Sequence, residues 1–307
     1  MAGDLAGLWH TRQLMTTSIM TLVDATSTQP WDRAAQGWNQ HADLIGTWLR
    51  QASSAMLDAA QISIGMSVLD IAAGAGDQTM QIAARIGITG RVLATDVSPG
   101  ILALAKTNAA HLGFHQVETR LLNAESLGLQ GANYDAAVSR LGLMFCHDPG
   151  KALVQARSAL KPGGRFAALV FSQPQTNPCL TITLGVARHH AGLCKLGDQN
   201  EAQVYLPGSL MSLGKPGLFA ELLHSAGFVN IDVCSINAPM QLASVHHYIE
   251  FLKSAASPII ELLSQLTPSA QRTAWLDMTE QLKQFEHGGG WTGPNELLLA
   301  KAQAPMS

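Results

Sequence analysis

A stretch of small residues separates an apolar run from a polar segment with a helical pattern. The run is Val68-Leu69-Asp70-Ile71, and Ala72-Ala73-Gly74-Ala75-Gly76 follows it directly. A turn of small residues between a strand and a helix lets a ligand approach the backbone closely and presents the first amide groups of the helix to it. The pattern therefore predicts a site for a nucleotide-like cofactor.

Two cofactors compete for this turn. A dinucleotide fingerprint GxGxxG would begin at Gly74, but Thr79 stands where the third glycine belongs. Asp70 would also direct a carboxylate toward two anionic phosphates, which is electrostatically unfavourable. S-adenosyl-L-methionine (SAM) has no phosphate and carries an ammonium and a sulfonium, so a carboxylate at the end of the first strand suits it, directly or through a water molecule. Asp70 therefore favours SAM.

Polar residues also follow the next two predicted strands. Asp96 lies 22 residues after Gly74, where it would accept hydrogen bonds from both ribose hydroxyls. NAD and SAM sites share this role, and capping of the next helix is the alternative. Asn123, Ala124 and Glu125 follow the third strand and would border an adenine ring. For them the alternative is a solvated turn that caps a helix.

The elements that must position these residues alternate between strands and helices, which is typical of βαβ units. The predicted helices cover 77–85, 99–112, 151–160 and 218–226. The predicted strands cover 68–71, 91–95, 117–122, 135–140, 165–171, 229–236 and 296–300. The expected fold class is α/β, with a doubly wound, mostly parallel seven-stranded sheet of the Rossmann-like kind. Its strand C-termini would form one ligand-binding edge.

Other segments lie outside this alternation. We divide the chain into an N-terminal helical segment (1–60), a Rossmann-like SAM-binding core (61–173), a cap insertion (174–216) and the rest of the core sheet (217–307) with a helical insertion (246–286). One helix is predicted over 32–57 and a turn over 290–294.

The composition excludes several classes of protein. Charged residues make up 13% of the 307 residues, and the net charge is −3, so no basic surface for nucleic acid is expected. No apolar run reaches the ~18–20 residues of a membrane span. Polar residues near the N-terminus argue against a signal peptide. The 4 cysteines are scattered, without metal-ligand spacing, as expected of thiols in a reducing compartment. We therefore expect a cytoplasmic protein that acts on a small molecule, with no metal.

Several segments occur in an order that is more specific than any one motif. They are VLDIAAGAGDQT (68–79), ATDVSPGILALAK (94–106), LLNAESL (121–127), YDAAVSRLGLMF (134–145), ALKPGGRFAALVF (159–171) and SLGKPGLFAELLHSAGF (212–228). Together they resemble the class I SAM-dependent methyltransferases, in the branch similar to the ubiquinone/menaquinone C-methyltransferases. Ala72 stands where the first glycine of that family usually lies. The resemblance also implies that the last strand is antiparallel.

The resemblance implies a role for individual positions. Asp70, Ala72, Gly74 and Gly76 would lie under the methionine part of SAM, and Asp96 would hold the ribose with Val97 beside the adenine. Asn123, Ala124 and Glu125 would border the adenine, and Ser139 and Arg140 would lie near the methionine. Trp38 would close over the cofactor, where a ring face beside a sulfonium makes a favourable cation–π contact. Core packing is the alternative for Trp38.

Methyl transfer requires little covalent chemistry of the protein. The methyl group on a sulfonium is already activated, so an aligned, dry site is the main requirement. A base is needed only if the nucleophile must lose a proton. The candidate bases are His147, His189 and His190, with Tyr205, and each has a structural role as its alternative.

The predicted function is methyl transfer from SAM to carbon or oxygen of a small, largely apolar organic acceptor. Apolar residues of the cap support such an acceptor, although they would equally pack the cap onto the sheet. The alternatives are a SAM-fold enzyme that uses bound SAM for a cyclisation or lyase step and, less favoured, an NAD-dependent dehydrogenase. The tryptophan-rich N-terminus and low charge are compatible with a homodimer.

Overall fold

The computed structural model describes residues 29–131, 133–195 and 204–306. Its strands are β1 (Ser67–Ile71), β2 (Arg91–Asp96), β3 (Val117–Leu121), β4 (Tyr134–Arg140), β5 (Leu160–Phe171), β6 (Val229–Asn237), β7 (Met240–Leu242), β8 (Glu286–His287), β9 (Gly290–Gly293) and β10 (Glu296–Gln303). Its helices are α1 (Gln29–Gln40), α2 (Ala42–Ala59), α3 (Asp77–Ile86), α4 (Pro99–His111), α5 (Pro149–Ala159), α6 (Pro178–His190), α7 (Leu218–Ser225), α8 (Val245–Ala255), α9 (Ser257–Ser264) and α10 (Pro268–Leu282).

Within the described ranges, seven strands form one sheet in the order β3-β2-β1-β4-β5-β10-β6. The pairs from β3 to β5 are parallel, whereas β10 is antiparallel to both β5 and β6. The chain order reverses between β1 and β4, and such a reversal opens a crevice at the carboxyl ends of the strands. The predicted α/β class with a doubly wound, mostly parallel sheet is confirmed.

The sequence accounts for the central strands and for the helix that follows β2. Every residue of β1 is buried, as expected of an apolar run covered by helices on both faces. Helix α4 begins as predicted, because the Ser98 hydroxyl accepts a hydrogen bond from the amide of Ile101 and Pro99 occupies the first turn.

The helix predicted over 32–57 is two helices that meet at His41. Helix α2 packs on the sheet, whereas α1 leaves it and contacts α8. The His41 ring hydrogen-bonds to the Ser254 hydroxyl at 2.9 Å. The break between the helices therefore coincides with a contact to a distant segment, which the local periodicity of the sequence does not predict. The first part of the segment predicted as 1–60, residues 1–28, lies outside the described residues.

The helical insertion consists of α8, α9 and α10, which are separated where Pro258 and Pro268 each start a new helix. The predicted turn over 290–294 is instead largely β9, which pairs with β7 and β8 in a small antiparallel sheet. Helices α8 and α9 contact α1, and α6 contacts α9 and α10. We call these four helices, α6 and α8–α10, the cap. Residues 196–203 of the predicted cap insertion lie outside the described residues.

None of the helices in the described ranges has the length and apolar character of a segment that crosses a membrane.

Candidate active site

A cavity of about 640 Å³ opens at the carboxyl ends of β1, β2 and β4. We call it the cofactor cavity, because its size is in the range that holds a small-molecule ligand. The sequence-predicted residues that line it are Trp38, Ala72, Gly74, Gly76, Asp96, Val97, Asn123, Ala124, Glu125 and Arg140. The structure thus brings most of the predicted binding residues together, whereas Asp70 and Ser139 lie behind the cavity wall.

The turn after β1 contains residues with a left-handed backbone, which glycine adopts readily. Gly74 has φ of 59° and Gly76 has φ of 91°, and Gly76 immediately precedes α3. Ala72 also has a positive φ, 56°, which is unusual for a residue with a side chain. This turn forms the floor of the cofactor cavity.

Asp96, at the end of β2, is fixed by two backbone amides. Its Oδ2 accepts a hydrogen bond from Gly74 N–H at 3.1 Å, and its Oδ1 accepts one from Ser98 N–H at 3.1 Å. Burial raises the pKa of Asp96, and these amide donors oppose that rise. Each carboxylate oxygen keeps a further lone pair for a ligand hydroxyl, so the geometry suits a ribose.

Asp70 lies directly beneath the cavity and is fully buried. Thr79 Oγ1 donates to its Oδ2 at 2.6 Å, and the Gln78 side-chain amide donates to its Oδ1. Burial raises the pKa of Asp70 to about 7 despite these two bonds. Gln78 lines the cavity and Asp70 does not, so Gln78 is the one of the two that is placed to contact a ligand.

Gln78 is a residue that sequence reasoning missed. It lines the cofactor cavity, and its carboxamide oxygen is buried without a hydrogen-bond partner among the described residues. Such an oxygen is a ready acceptor for an N–H group of a ligand. The signal that would have found it is the position of a glutamine in the first turn of the helix after the small-residue turn.

The end of β4 presents a charged pair to the cavity. Arg140 contacts Asp77 Oδ2 at 2.7 Å and donates to Ser53 Oγ at 2.8 Å. Ser139 is 1% exposed, and its hydroxyl has no partner among the described residues. Arg140 is therefore held by Asp77, while Ser139 lies behind the cavity wall.

The predicted adenine-binding segment is also part of the local scaffold. Asn123 Oδ1 accepts from the amide of Glu125 at 2.8 Å, and Glu125 Oε1 accepts from the amide of His147 at 2.7 Å. Residues 123–125 therefore form a capped turn, which was the alternative to adenine binding, and they also line the cavity. The bond to His147 ties the segment to the loop after β4.

Acidic groups outnumber basic ones around the cofactor cavity. Among the described residues that line it, Asp77, Asp96 and Glu125 are acidic, and Arg140 is the permanent cation. This excess suits a ligand with an ammonium and a sulfonium and disfavours a diphosphate. The residues present fit SAM better than NAD.

Helix α1 covers the cofactor cavity and is attached to α4 at both ends. Asp32 accepts hydrogen bonds from the Ser98 hydroxyl and from the amide of Gly100, the latter at 3.2 Å. Asn108 Nδ2 donates to Asn39 Oδ1 at 3.1 Å. These bonds position α1, whose residues Trp31 and Trp38 line the cavity.

A second cavity of about 70 Å³ lies between α1 and the cap. We call it the acceptor chamber. Its described walls are mostly aromatic and aliphatic, and it shares four residues with the cofactor cavity, namely Trp31, Trp38, Leu141 and Phe145. Trp31 and Phe145 pack edge to face, with ring centroids 4.6 Å apart. The two cavities are therefore neighbours across one apolar wall.

The candidate bases lie elsewhere. His147 is exposed, and His189 is exposed at the end of α6. His190 hydrogen-bonds to Asp277 at 2.7 Å, which joins α6 to α10. None of these histidines, nor Tyr205, is among the described residues that line either cavity. The structure does not bring the predicted bases to the site, because the helix that carries the histidine pair presents its last turn to α10.

This fold and this site define a class I SAM-dependent methyltransferase. A sequence model of the ubiE/COQ5 methyltransferase family matches residues 44–248. The chain belongs to the ubiE/COQ5 methyltransferase family, and its cofactor is SAM.

Curated relatives agree with this assignment, and solved structures share the fold. The chain is 30% identical over 187 residues to the ubiquinone/menaquinone biosynthesis C-methyltransferase UbiE of Klebsiella pneumoniae, covering 59% of this chain and 74% of the relative. The YcgJ protein of Bacillus subtilis has a TM-score of 0.55 at 18% identity and covers 84% of this chain and 100% of that one. Phosphoethanolamine N-methyltransferase 2 of Haemonchus contortus, in complex with SAM, has a TM-score of 0.51 at 18% identity and covers 83% and 52%. These structures share the fold.

Proposed function

We propose that this protein transfers the methyl group of SAM, bound in the cofactor cavity, to carbon or oxygen of a small, largely apolar acceptor in the acceptor chamber. The observation that carries the proposal is the wall the two cavities share, formed by Trp31, Trp38, Leu141 and Phe145. In-line transfer requires that the two ligands meet directly, so these four side chains would form the rim of a passage between the cavities, with water excluded.

The contacts around the cavity support the proposed cofactor-binding roles. Asp96, held by Gly74 and Ser98, binds the two ribose hydroxyls, and Val97 lies beside the adenine. Asn123, Ala124 and Glu125 border the adenine.

The methionine part of the cofactor lies over the turn after β1. Gly74 and Gly76 allow it to approach the backbone, and the free oxygen of Gln78 accepts from its ammonium group. Asp70 supports Gln78 from below. Arg140, which is already paired with Asp77, balances the negative charge around this end of the cavity.

When bound, SAM supplies a methyl group that its sulfonium activates. The protein then has to orient the two reactants and keep the site dry. Trp38 lines both cavities and offers a ring face near the sulfonium, where a cation–π contact stabilises the positive charge. We assign no proton transfer to His147, His189 or His190, because none of them lines a cavity.

Titration calorimetry with SAM, S-adenosylhomocysteine and NAD in parallel tests the cofactor assignment. We expect micromolar binding of both adenosyl ligands and none of NAD. A methyl-transfer screen with labelled SAM against small aromatic and isoprenoid-like acceptors then tests the reaction. Binding of NAD alone would overturn the proposal.

We also propose a cytoplasmic location and keep the homodimer as a prediction. The four cysteines are free thiols in the structure, as expected in a reducing compartment. Sedimentation velocity of the purified chain tests the homodimer, since a monomer and a dimer of this chain differ twofold in mass.

A further inference from the structure

Helix α1 is joined to the ribose end of the cofactor cavity by a chain of three side chains. Asp96 Oδ1 accepts a hydrogen bond from the backbone amide of Ser98 at 3.1 Å, and the hydroxyl of the same serine donates to Asp32 Oδ1 on α1. Asp32 also accepts from the amide of Gly100 at 3.2 Å. The carboxylate assigned to the ribose and the carboxylate that holds α1 are therefore linked through one buried residue, Ser98.

Asp32 and Asp96 carry the same charge, so placing them close together is unfavourable without a ligand. Burial raises the pKa of Asp96, and the negative charge of Asp32 raises it further. The ribose hydroxyls of a bound cofactor would donate to Asp96, and the ammonium group of the cofactor would reduce the negative potential in the cavity. Cofactor binding therefore lowers the repulsion that opposes the position of Asp32 in this structure.

The apolar contacts of α1 are small for a helix of 12 residues. Its buried apolar side chains, among those described, are Ala34 and Ala35, whereas Trp31 and Trp38 are only partly buried. A methyl group removes far less apolar area from water than the side chain of leucine or isoleucine. The position of α1 on the core therefore depends strongly on its polar contacts, among them those of Asp32.

The other side of α1 contacts the cap. The His41 ring, immediately after α1, hydrogen-bonds to the Ser254 hydroxyl at 2.9 Å and packs edge to face on Phe251, with ring centroids 5.4 Å apart. Phe251 lines the acceptor chamber and is not among the described residues that line the cofactor cavity. A change in the position of α1 would thus alter the acceptor chamber at a wall that the cofactor does not touch.

Resting on the function proposed above, we propose that Asp32 is a positioning residue that couples the two sites. Binding of the cofactor ribose to Asp96 stabilises α1 in its place, through Ser98 and Asp32, and thereby completes the wall of the acceptor chamber. Because coupling between two binding sites is reciprocal, an acceptor in the chamber tightens cofactor binding by the same factor.

Hydrogen–deuterium exchange of the full chain, with and without saturating S-adenosylhomocysteine, tests the coupling. Exchange is measured in α1 and at the end of α8 around Phe251. In the unmodified chain we expect the ligand to slow exchange of both regions at least about fivefold, because it stabilises α1 and its contacts. The response of α8 is decisive, since a ligand can protect α1 by direct contact alone.

Asp32→Asn keeps an oxygen that accepts from Ser98 and Gly100 but removes the charge that Asp96 repels. The slowing that the ligand causes in α8 should then fall below about twofold. Asp32→Ala also removes the hydrogen bonds, so α1 should exchange faster than in the unmodified chain even with the ligand bound. Asp43→Asn, which changes an exposed carboxylate in the first turn of α2, is the matched control and should behave as the unmodified chain.

Calorimetry on each variant sets the ligand concentration, so that all are compared at equal occupancy. A purely structural role of Asp32 would change the exchange rates without ligand and leave the response of α8 to the ligand intact. That result overturns this proposal, as does an unmodified chain that binds S-adenosylhomocysteine with no response in α8, and both leave the proposed function standing. Failure of the unmodified chain to bind S-adenosylhomocysteine refutes the proposed function itself, and this proposal with it.

Discussion

At the residue scale, Asp96 carries the contact on which the cofactor assignment depends. Its two oxygens are aligned by the amides of Gly74 and Ser98, so the carboxylate is organised before a ligand arrives. Asp96→Ala should weaken SAM binding at least ~10-fold, because two charge-assisted hydrogen bonds to the ribose are lost.

Titration calorimetry with SAM measures this change. The exposed Asp232, on edge strand β6, supplies the matched control, and Asp232→Ala should leave the affinity unaltered. An Asp96→Ala variant that binds SAM as the unmodified chain does would refute the ribose assignment.

Asp70 makes the stability of the cofactor-free protein depend on pH. Its pKa is about 7 in the folded chain against 3.8 for the ordinary carboxyl, so the folded state holds a proton that the unfolded state has released. Stability from this group is fully present below pH 3.8 and is lost as the pH rises through 7. Asp70→Asn removes the titration and should therefore gain stability relative to the unmodified chain as the pH rises.

Thermal denaturation of both proteins between pH 5 and pH 8 tests this on the difference in Tm, since other groups titrate in both. We expect the Tm advantage of Asp70→Asn to grow by several degrees over that interval. This corresponds to roughly a few kcal/mol at most in the free energy of unfolding. A constant difference in Tm would mean that Asp70 is ionised throughout.

The histidines proposed as bases from the sequence are expected to be dispensable for chemistry. His147→Ala and His190→Ala should leave SAM affinity unchanged, and turnover of an identified acceptor should remain within about threefold, because neither ring lines a cavity. His190→Ala should lower thermal stability, since it removes the bond to Asp277 between α6 and α10. A loss of turnover of several hundredfold in either variant, with SAM affinity intact, would restore the role of a base.

At the scale of elements, the turn after β1 and the loop after β4 are pressed together. A Cβ on Gly142 would lie 2.4 Å from the Ala72 methyl group, so only glycine fits at 142 while alanine occupies 72. Ala72 has a left-handed backbone, which costs an alanine roughly 1–2 kcal/mol.

Ala72→Gly should relieve this strain and stabilise the protein by about 0.5–1 kcal/mol after the entropy of the unfolded glycine is subtracted. Urea denaturation measures the change. Ala103→Gly, at an exposed position within α4, should instead destabilise by about 1 kcal/mol. Equal losses in both variants would contradict the assignment of strain to Ala72.

At the scale of the whole molecule, α1 joins the cofactor-binding core to the cap. It is attached to α4 through Asp32 and Asn39, and it packs so closely on α8 that a Cβ on Gly37 would lie 2.0 Å from the carbonyl oxygen of Ser254. Trp38 and Phe251 meet at this contact, with centroids 6.4 Å apart. The wall between the cavities therefore depends on the seating of this one helix.

Gly37→Ala should push α1 away from α8, destabilise the protein by about 1–3 kcal/mol and reduce kcat/KM for the acceptor more than it reduces SAM affinity. Denaturation, calorimetry and methyl-transfer kinetics measure these effects. Gly185→Ala provides the control, because it lies within α6 with nothing within 4 Å of an added Cβ, and it should be neutral or stabilising. If both variants behave alike, the contact between α1 and α8 does not determine the position of the wall between the two cavities.

From the sequence one can predict the sheet, its helices and ten of the residues that line the cofactor cavity. The local patterns are the apolar runs, the small-residue turn at Ala72 to Gly76 and the helix N-cap at Ser98. Local backbone chemistry decides strands, turns and helix starts. Asp96 and Asn123 could be predicted because parallel strands end at one edge, so residues that follow consecutive strands meet there.

The depth of the site and the position of the second cavity could be seen only in the folded chain. Asp70 proved to lie beneath Gln78, because burial depends on how α3 packs over β1. The break at His41 and the pairing of strand β9 each depend on contacts between segments distant in the chain, and the bond of Trp48 to Ala238 is a further contact of this kind. Such contacts arise from complementary packing of surfaces, which no local pattern of residues records.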